Sequence, residues 1–368
     1  MNEKIFKPIK ITPTFYQLGT PSFPAYLSIG ETAMLIEGGT GPTYNLIVAQ
    51  IEALGIDPMM IEYVVLPHTH PDHIGAVPHL KRAWPHLKLL ASPVGSKILV
   101  SKELLKEFEV VDLSIAQLMR AKAELKNFPA PLKTYSFQVD NQIKEGDRIE
   151  LGAGIVWEVI ETPGHSPCHL SLFEHKERTL NIGDATGFYV PQRDVFWPNY
   201  FYSLDSYCDS IRKLSNFPSR RVALSHNGVL GVDSNGYLQK AMDATENYHK
   251  ELLRRLSLGE RPEQIAMDKA RFVSDLTDIQ PFKVIFDMCR LLIKRSETNG
   301  KGLSFSFPGH SRTLQIRSDP GSRELEGSSP QRIVATNRTV ERKTLNLNER
   351  LGLIALIDEG MSIEECRW

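Results

Sequence analysis

Cysteine is scarce in this chain of 368 residues, and what there is does not pair. Cys168, Cys208, Cys289 and Cys366 stand apart, with no Cys-x-x-Cys among them. That spacing excludes a thiolate zinc knuckle and offers no disulfide framework, so a reducing compartment, the cytoplasm, is expected. No apolar run approaches the ~20 residues that a bilayer-spanning helix needs. Residues 1–8 lack an apolar core of signal-peptide length. An excess of one charge sign is missing too: 43 Lys and Arg face 44 Asp and Glu, leaving a formal net charge of −1. Such a balance gives no overall drive towards nucleic acid or an anionic membrane. The length allows one large domain with an appendage, or two domains.

Histidine, by contrast, is concentrated. His68-Thr69-His70-Pro71-Asp72-His73 puts three imidazoles and a carboxylate within six residues, directly after the apolar run Ile61-Glu62-Tyr63-Val64-Val65-Leu66. A strand followed at once by such a knot presents ligands at a sheet edge. Neutral imidazole and carboxylate are donors that suit zinc, iron or manganese. The same design recurs three times. The run Ile155-Val156-Trp157-Glu158-Val159-Ile160 leads through the tight turn Pro163-Gly164 to His165. Thr179-Leu180-Asn181-Ile182-Gly183 ends in Asp184, a carboxylate that is costly there unless paired or metal-bound. Arg221-Val222-Ala223-Leu224-Ser225 ends in His226. A lone strand-end histidine is more often a packing residue, but the shared context marks this set as a site. His169 reads as a supporting or packing residue rather than a ligand.

The surrounding pattern is α/β. Strand signals near residues 15–18, 25–29, 33–37, 87–90, 134–137 and 148–151 alternate with helical spacing over 43–54 and 96–127. Residues 96–127 fit a pocket wall and a packing insertion equally. The aromatic-rich stretch 188–202 follows Asp184 directly, and Phe188, Phe196 and Trp197 are candidates for a substrate pocket. Amphipathic helices follow over 238–258 and after Pro262 and Pro281. The chain divides into a domain over 1–236 that carries the ligand motifs and a helical segment over 237–296, whose stripes could serve a dimer interface. A Gly-, Ser-, Pro- and Arg-rich linker over 297–337 and a tail over 338–368, read as an incomplete helix-turn-helix, complete the chain.

The motifs His-x-His-x-Asp-His, then a distant His, Asp and His in that order, resemble the metallo-β-lactamase superfamily over about residues 10–230. The resemblance implies an αββα sandwich, here with a C-terminal helical extension, and two divalent metal ions, zinc or iron with manganese as a further option. It implies that the segment over 237–296 is a helical cap on a catalytic domain over 1–236. It implies that His68, His70 and His165 bind one ion, that Asp72, His73 and His226 bind the other, and that Asp184 bridges them, with Asp72 also catalytic. True β-lactamases of this fold generally lack a carboxylate where Asp184 stands. Flavodiiron proteins carry Glu where this chain has His70.

The resemblance is greatest to the branch of glyoxalase II-like and quinolone-signal-response thioesterases. It includes Gly183-Asp184-Ala185-Thr186-Gly187 and Trp197-Pro198, although Cys168 replaces a usual Gly. A buried apolar thiol is the preferred reading of Cys168, and tuning of the site is the other. The expected activity is hydrolysis of an activated acyl compound, an acyl-CoA-type thioester first and a lactone such as an acyl-homoserine lactone second. A metal-containing regulatory protein acting through a partner is the reading from another class. The expected partner is a small acyl substrate, with no membrane, no nucleic acid, and a homodimer through the C-terminal helices as an option.

Overall fold

The computed structural model describes residues 6–136, 138–298, 305 and 307. β1 (Ile9–Thr12), β2 (Phe15–Gly19), β3 (Pro24–Ile29) and β4 (Ala33–Ile36) make an antiparallel meander. α1 (Tyr44–Ala53) then crosses over to β5 (Ile61–Val65), which lies parallel to β4. The one-turn α2 (Pro71–Ile74) and α3 (Val77–Ala83) precede the parallel strand β6 (Lys88–Ala91). α4 (Pro93–Leu99) and α5 (Lys102–Ala121) precede β7 (Asn141–Gln142), which closes a seven-stranded sheet. Ser92 and Ser101 start those two helices by accepting from the backbone N–H groups of Gly95 and Leu104.

The second sheet begins with the antiparallel strands β8 (Arg148–Gly152), β9 (Ile155–Glu161), β10 (Leu170–Glu174) and β11 (Thr179–Gly183). A separate hairpin, β12 (Phe188–Val190) and β13 (Val195–Trp197), comes next, and α6 (Leu204–Leu214) follows it. β14 (Arg221–Leu224) then adds parallel to β11, and β15 (Val229–Leu230) adds antiparallel to β14. α7 (Ser234–Ser257), α8 (Pro262–Leu276) and α9 (Phe282–Thr298) form the C-terminal helical region.

Alternation along the strands makes the layers. In β3 and β4, Ala25, Leu27, Ala33 and Leu35 face a core shared with α1, α3, α4 and α5, whereas Tyr26, Met34 and Ile36 face the other sheet. In the second sheet, Leu170, Leu172 and Ala223 face inward, whereas Leu180, Ile182, Val222 and Leu224 share a core with α6–α9. Two sheets packed face to face with helices outside both are the mixed α/β architecture expected. Tyr26 Oη donates to the Leu224 carbonyl, and Trp157 Nε1 donates to Ser28 Oγ at 2.9 Å, across the middle of the sandwich. Trp157 is fully buried against Phe15. Trp157→Ala should therefore cost about 3–5 kcal/mol of stability, read as a lowered midpoint in denaturant unfolding.

Residues 134–136 form no strand, and Phe137 lies outside the described residues. The place beside β6 is taken by Asn141–Gln142, and Tyr135 is instead buried in the core that holds α5. The C-terminal helices share their core with the second sheet, and Phe305 and Phe307 pack there as well. No helix among the described residues is long and apolar enough to cross a membrane. His310, Cys366 and the expected tail over 338–368 lie outside the described residues.

Candidate metal centre

Four chain segments reach one edge of the sandwich because β9, β11 and β14 all run in one direction and β5 ends beside them. After β5 the chain passes His68 and reaches His70 in an extended conformation; Pro71 then opens α2 at its first position and puts Asp72 and His73 into a single turn. His165 follows Gly164, whose φ is +139° and whose missing side chain leaves room for the backbone of Tyr207 in α6. Asp184 follows Gly183, at φ +56°, where a Cβ would stand 2.7 Å from His169 Nε2. The Ser225 N–H donates to the Gly183 carbonyl at 3.2 Å, which ties the end of β14, and with it His226, to the end of β11.

The structure brings all seven side chains together. His68, His70 and His165 offer ring nitrogens within 4.8 Å of one another; Asp72, His73 and His226 form a second such group, and His68, His73 and Asp184 a third. His70 Nδ1 lies 3.1 Å from His68 Nε2 and 3.0 Å from His165 Nε2. Asp184 Oδ2 sits centrally, 3.3 Å from His73 Nε2, 3.5 Å from His68 Nε2, 3.7 Å from His165 Nε2 and 3.9 Å from His226 Nε2. Asp72 Oδ2 is 3.3 Å from His73 Nε2 and 3.6 Å from His226 Nε2.

The far sides of the imidazoles show what belongs in the middle. His165 Nδ1 is 3.0 Å from the Asn199 carbonyl, and His226 Nδ1 is 2.7 Å from that of Ser22. His73 Nδ1 is 3.0 Å from Glu37 Oε2, and Ser225 Oγ donates to Glu37 Oε1 at 2.6 Å. Carbonyls and carboxylates only accept, so these three Nδ1 atoms carry the proton in the neutral ring. Each Nε2 then aims a lone pair at carboxylate oxygens. Positive charge between them reconciles that arrangement, and either a proton on an imidazole or a divalent cation supplies it. The donor set therefore fits bound metal.

The charges around the centre carry the same frustration. Burial alone would raise Asp72 and Asp184, but the imidazoles around each outweigh it and hold both carboxyls well below their ordinary range. Burial lowers His68, and its histidine neighbours lower it further. His73 goes the other way: burial is outweighed by Asp72 and Glu37, which raise it well above the ordinary imidazole value. His169 is not among the converging donors. Its Nε2 accepts from the Asp184 N–H at 3.0 Å, its Nδ1 is 2.8 Å from Thr162 Oγ1, and burial lowers its pKa to about 3.

Glu37 is the functional residue that sequence reading misses. It follows β4 at φ +72° and is 1% exposed, yet in sequence it reads only as the last residue of the strand signal over 33–37. Its signal was a carboxylate just beyond a fully apolar strand. Carboxylates that hold a ligating histidine are typically worth 10–100-fold in metal affinity, so Glu37→Gln should weaken metal binding by about that factor. Competition with a chelator measures it.

A cavity of about 750 Å³, counting its open mouth, covers the centre. Phe188, Trp197 and Phe201 line it from the second sheet's side, Val111 from α5, and Ile279, Val284, Ile285 and Met288 from the C-terminal helices. Phe196, expected in the same wall, instead packs on Tyr189 and Tyr237. The reason is strand parity: Trp197 lines the cavity, so its neighbour on β13 faces away. Cys168 is buried beside Thr69 and Ser166, its Sγ 3.6 Å and 3.3 Å from their hydroxyls.

The family model of the metallo-beta-lactamase superfamily matches residues 22–226, more than half of the chain and all seven converging residues. Among curated relatives, "Putative diflavin flavoprotein A 3" of Nostoc sp. is 25% identical over 230 residues, 58% of this chain and 34% of its own length. The chain thus spans about a quarter to a third of the length of the diflavin relatives it matches. "Metallo-beta-lactamase fold-containing protein ST1585" of Sulfurisphaera tokodaii is 26% identical over 173 residues, 46% of this chain and 62% of its own length. Among solved structures, a HARLDQ-motif mutant of a Cronobacter sakazakii metallo-beta-lactamase superposes with a TM-score of 0.49 at 20% identity, covering 69% of this chain and 99% of its own.

Proposed function

This chain belongs to the metallo-β-lactamase superfamily, and from that premise we propose that it is a dinuclear metal-dependent hydrolase of an acyl-CoA-type thioester. His68, His70 and His165 would hold one ion, Asp72, His73 and His226 the other, with Asp184 shared. Two such ions would supply Lewis acidity to an acyl carbonyl and a water-derived nucleophile near neutral pH. Asp72 lines the cavity, so it would serve both as a ligand and as the group that orients a water there. The apolar wall formed by Phe188, Trp197, Phe201 and Ile285 receives the acyl portion and excludes bulk water.

One observation carries the thioester reading. Among the described residues that line the cavity, every titratable side chain belongs to the seven converging donors. No separate side chain is left to protonate a poor leaving group. A thiolate leaves without such help, whereas an alkoxide or amine does not. As for the metal, five imidazoles and two carboxylates accept zinc, iron or manganese. The name of one relative, "Flavo-diiron protein FprA2" of Clostridium acetobutylicum, 34% identical over 87 residues, 23% of this chain and 22% of its own length, keeps iron in that group.

The test compares kcat/KM of metal-loaded protein on acyl-CoAs and on acyl-homoserine lactones. Thioester turnover in excess is the expected result. Turnover of lactones alone would assign the same centre to ring opening.

A further inference from the structure

His169 stands among the converging histidines without being one of them. Its ring centre is 5.1 Å from that of His68 and 6.0 Å from that of His165, and the residue is 1% exposed. Its backbone is anchored on both sides. The Thr162 N–H donates to the His169 carbonyl at 3.0 Å, and the Leu170 N–H donates to the Pro67 carbonyl at 2.7 Å. The ring therefore has a fixed base between the segment that leads to His68 and the one that leads to His165.

The hydrogen bonds of the side chain have one direction open to them. A backbone N–H only donates, so His169 Nε2 accepts from the Asp184 N–H at 3.0 Å and carries no proton. The proton of the neutral ring is then on Nδ1, which donates to Thr162 Oγ1 at 2.8 Å. Ser171 turns its one hydroxyl proton to the Ile182 carbonyl, over a longer 3.4 Å, so between Thr162 and Ser171, 2.9 Å apart, Thr162 is the donor. The chain leaves the backbone at Asp184 and returns to it at Ile182, with Gly183 alone in between. Gly183 is at φ +56°, and a Cβ there would stand 2.7 Å from the same Nε2 that the Asp184 N–H reaches. The Ala185 N–H also donates to the Ile182 carbonyl, at 3.0 Å, which closes the turn that carries Asp184.

From this closed circuit we infer that His169 is a positioning residue for Asp184: a neutral imidazole that, through Thr162 and Ser171, holds the turn at Gly183 and so aims the shared carboxylate into the donor set. The inference rests on Asp184 being a metal ligand, and it assigns the ring to metal binding, not to proton transfer. Both ring nitrogens are engaged by fixed partners, and His169 does not line the cavity over the centre. It has neither a lone pair nor a proton to offer a substrate.

Two measurements on the full chain test this. Nitrogen NMR of the imidazoles in zinc-loaded wild-type protein reads the tautomer of His169 directly, whether or not any variant folds. The Nδ1–H form is the expected result, and an Nε2–H form would overturn the inference. Zinc affinity by chelator competition is the second readout. His169→Leu should weaken binding by about 10–100-fold, the range typical for groups that hold a ligand in place. His169→Gln, whose amide oxygen can still accept from the Asp184 N–H, should recover most of that loss. Equal losses in folded Leu and Gln variants would overturn the inference, because the acceptor would then not be what matters. Neither readout depends on turnover: the expected tautomer and affinities without acyl-CoA hydrolysis would keep the positioning role and remove the thioesterase reading.

Discussion

Replacing Asp184 by Asn is expected to reduce turnover by at least about a thousandfold, because it removes charge at the point where the whole donor set meets. Asp184 Oδ2 lies within 3.3–3.9 Å of four ring nitrogens, two from each side of the centre. An amide of the same size keeps the packing, and its backbone N–H still reaches His169. It brings no negative charge, and it can turn N–H donors towards lone pairs. Fold should survive while metal content falls, read by elemental analysis beside circular dichroism and kcat/KM. Full metal content with unchanged turnover would show that Asp184 is not the shared ligand. A cellular phenotype that outlives the loss of activity would assign a role to a partner of the protein instead of to hydrolysis.

Stripping the metal should abolish turnover altogether, and protein purified without added metal should contain two ions per fully active chain. Chelation should also change how stability depends on pH. In the metal-free pocket His73 is the group that answers the surrounding carboxylates, and Asp72 and Glu37 raise its pKa well above 6.5. A histidine whose folded pKa is raised binds its proton more tightly folded than unfolded, so it contributes stability in full below about pH 6.5, the unfolded value. That contribution is lost as pH climbs through the folded value. With metal bound, the ring has no proton there to lose. The gap in thermal midpoint between metal-loaded and metal-free protein should therefore widen as pH rises from 6.5 into the alkaline range. A gap that stays constant or narrows over that interval would mean that His73 does not hold the compensating charge.

The donor set was legible in the chain because each member is a histidine or aspartate set directly against the end of an apolar run. A strand has only one such end, so adjacent strands pointing the same way must deliver their ligands to one place. His68, His70, Asp72, His73, His165, Asp184 and His226 needed no contact map to be grouped. Alternation of strand and helix signals likewise specified an α/β chain, and the two face-to-face sheets were what the family resemblance implied.

What sequence could not show is whatever depends on which surface meets which. Glu37 holds His73 only because β4 lies parallel to β5 and the backbone turns at φ +72°. Phe196 and Trp197 are equal in composition and opposite in role, since the register of one short hairpin decides which faces the cavity. The stripe on α9 announces that Val284, Ile285 and Met288 cover something, but any apolar surface would satisfy it. Only the tertiary structure lays that stripe over the donor cluster and sets Ile279 against Val111. Burial is non-directional, so a pattern of apolar residues fixes that a face is covered and leaves its partner to the packing of the whole chain.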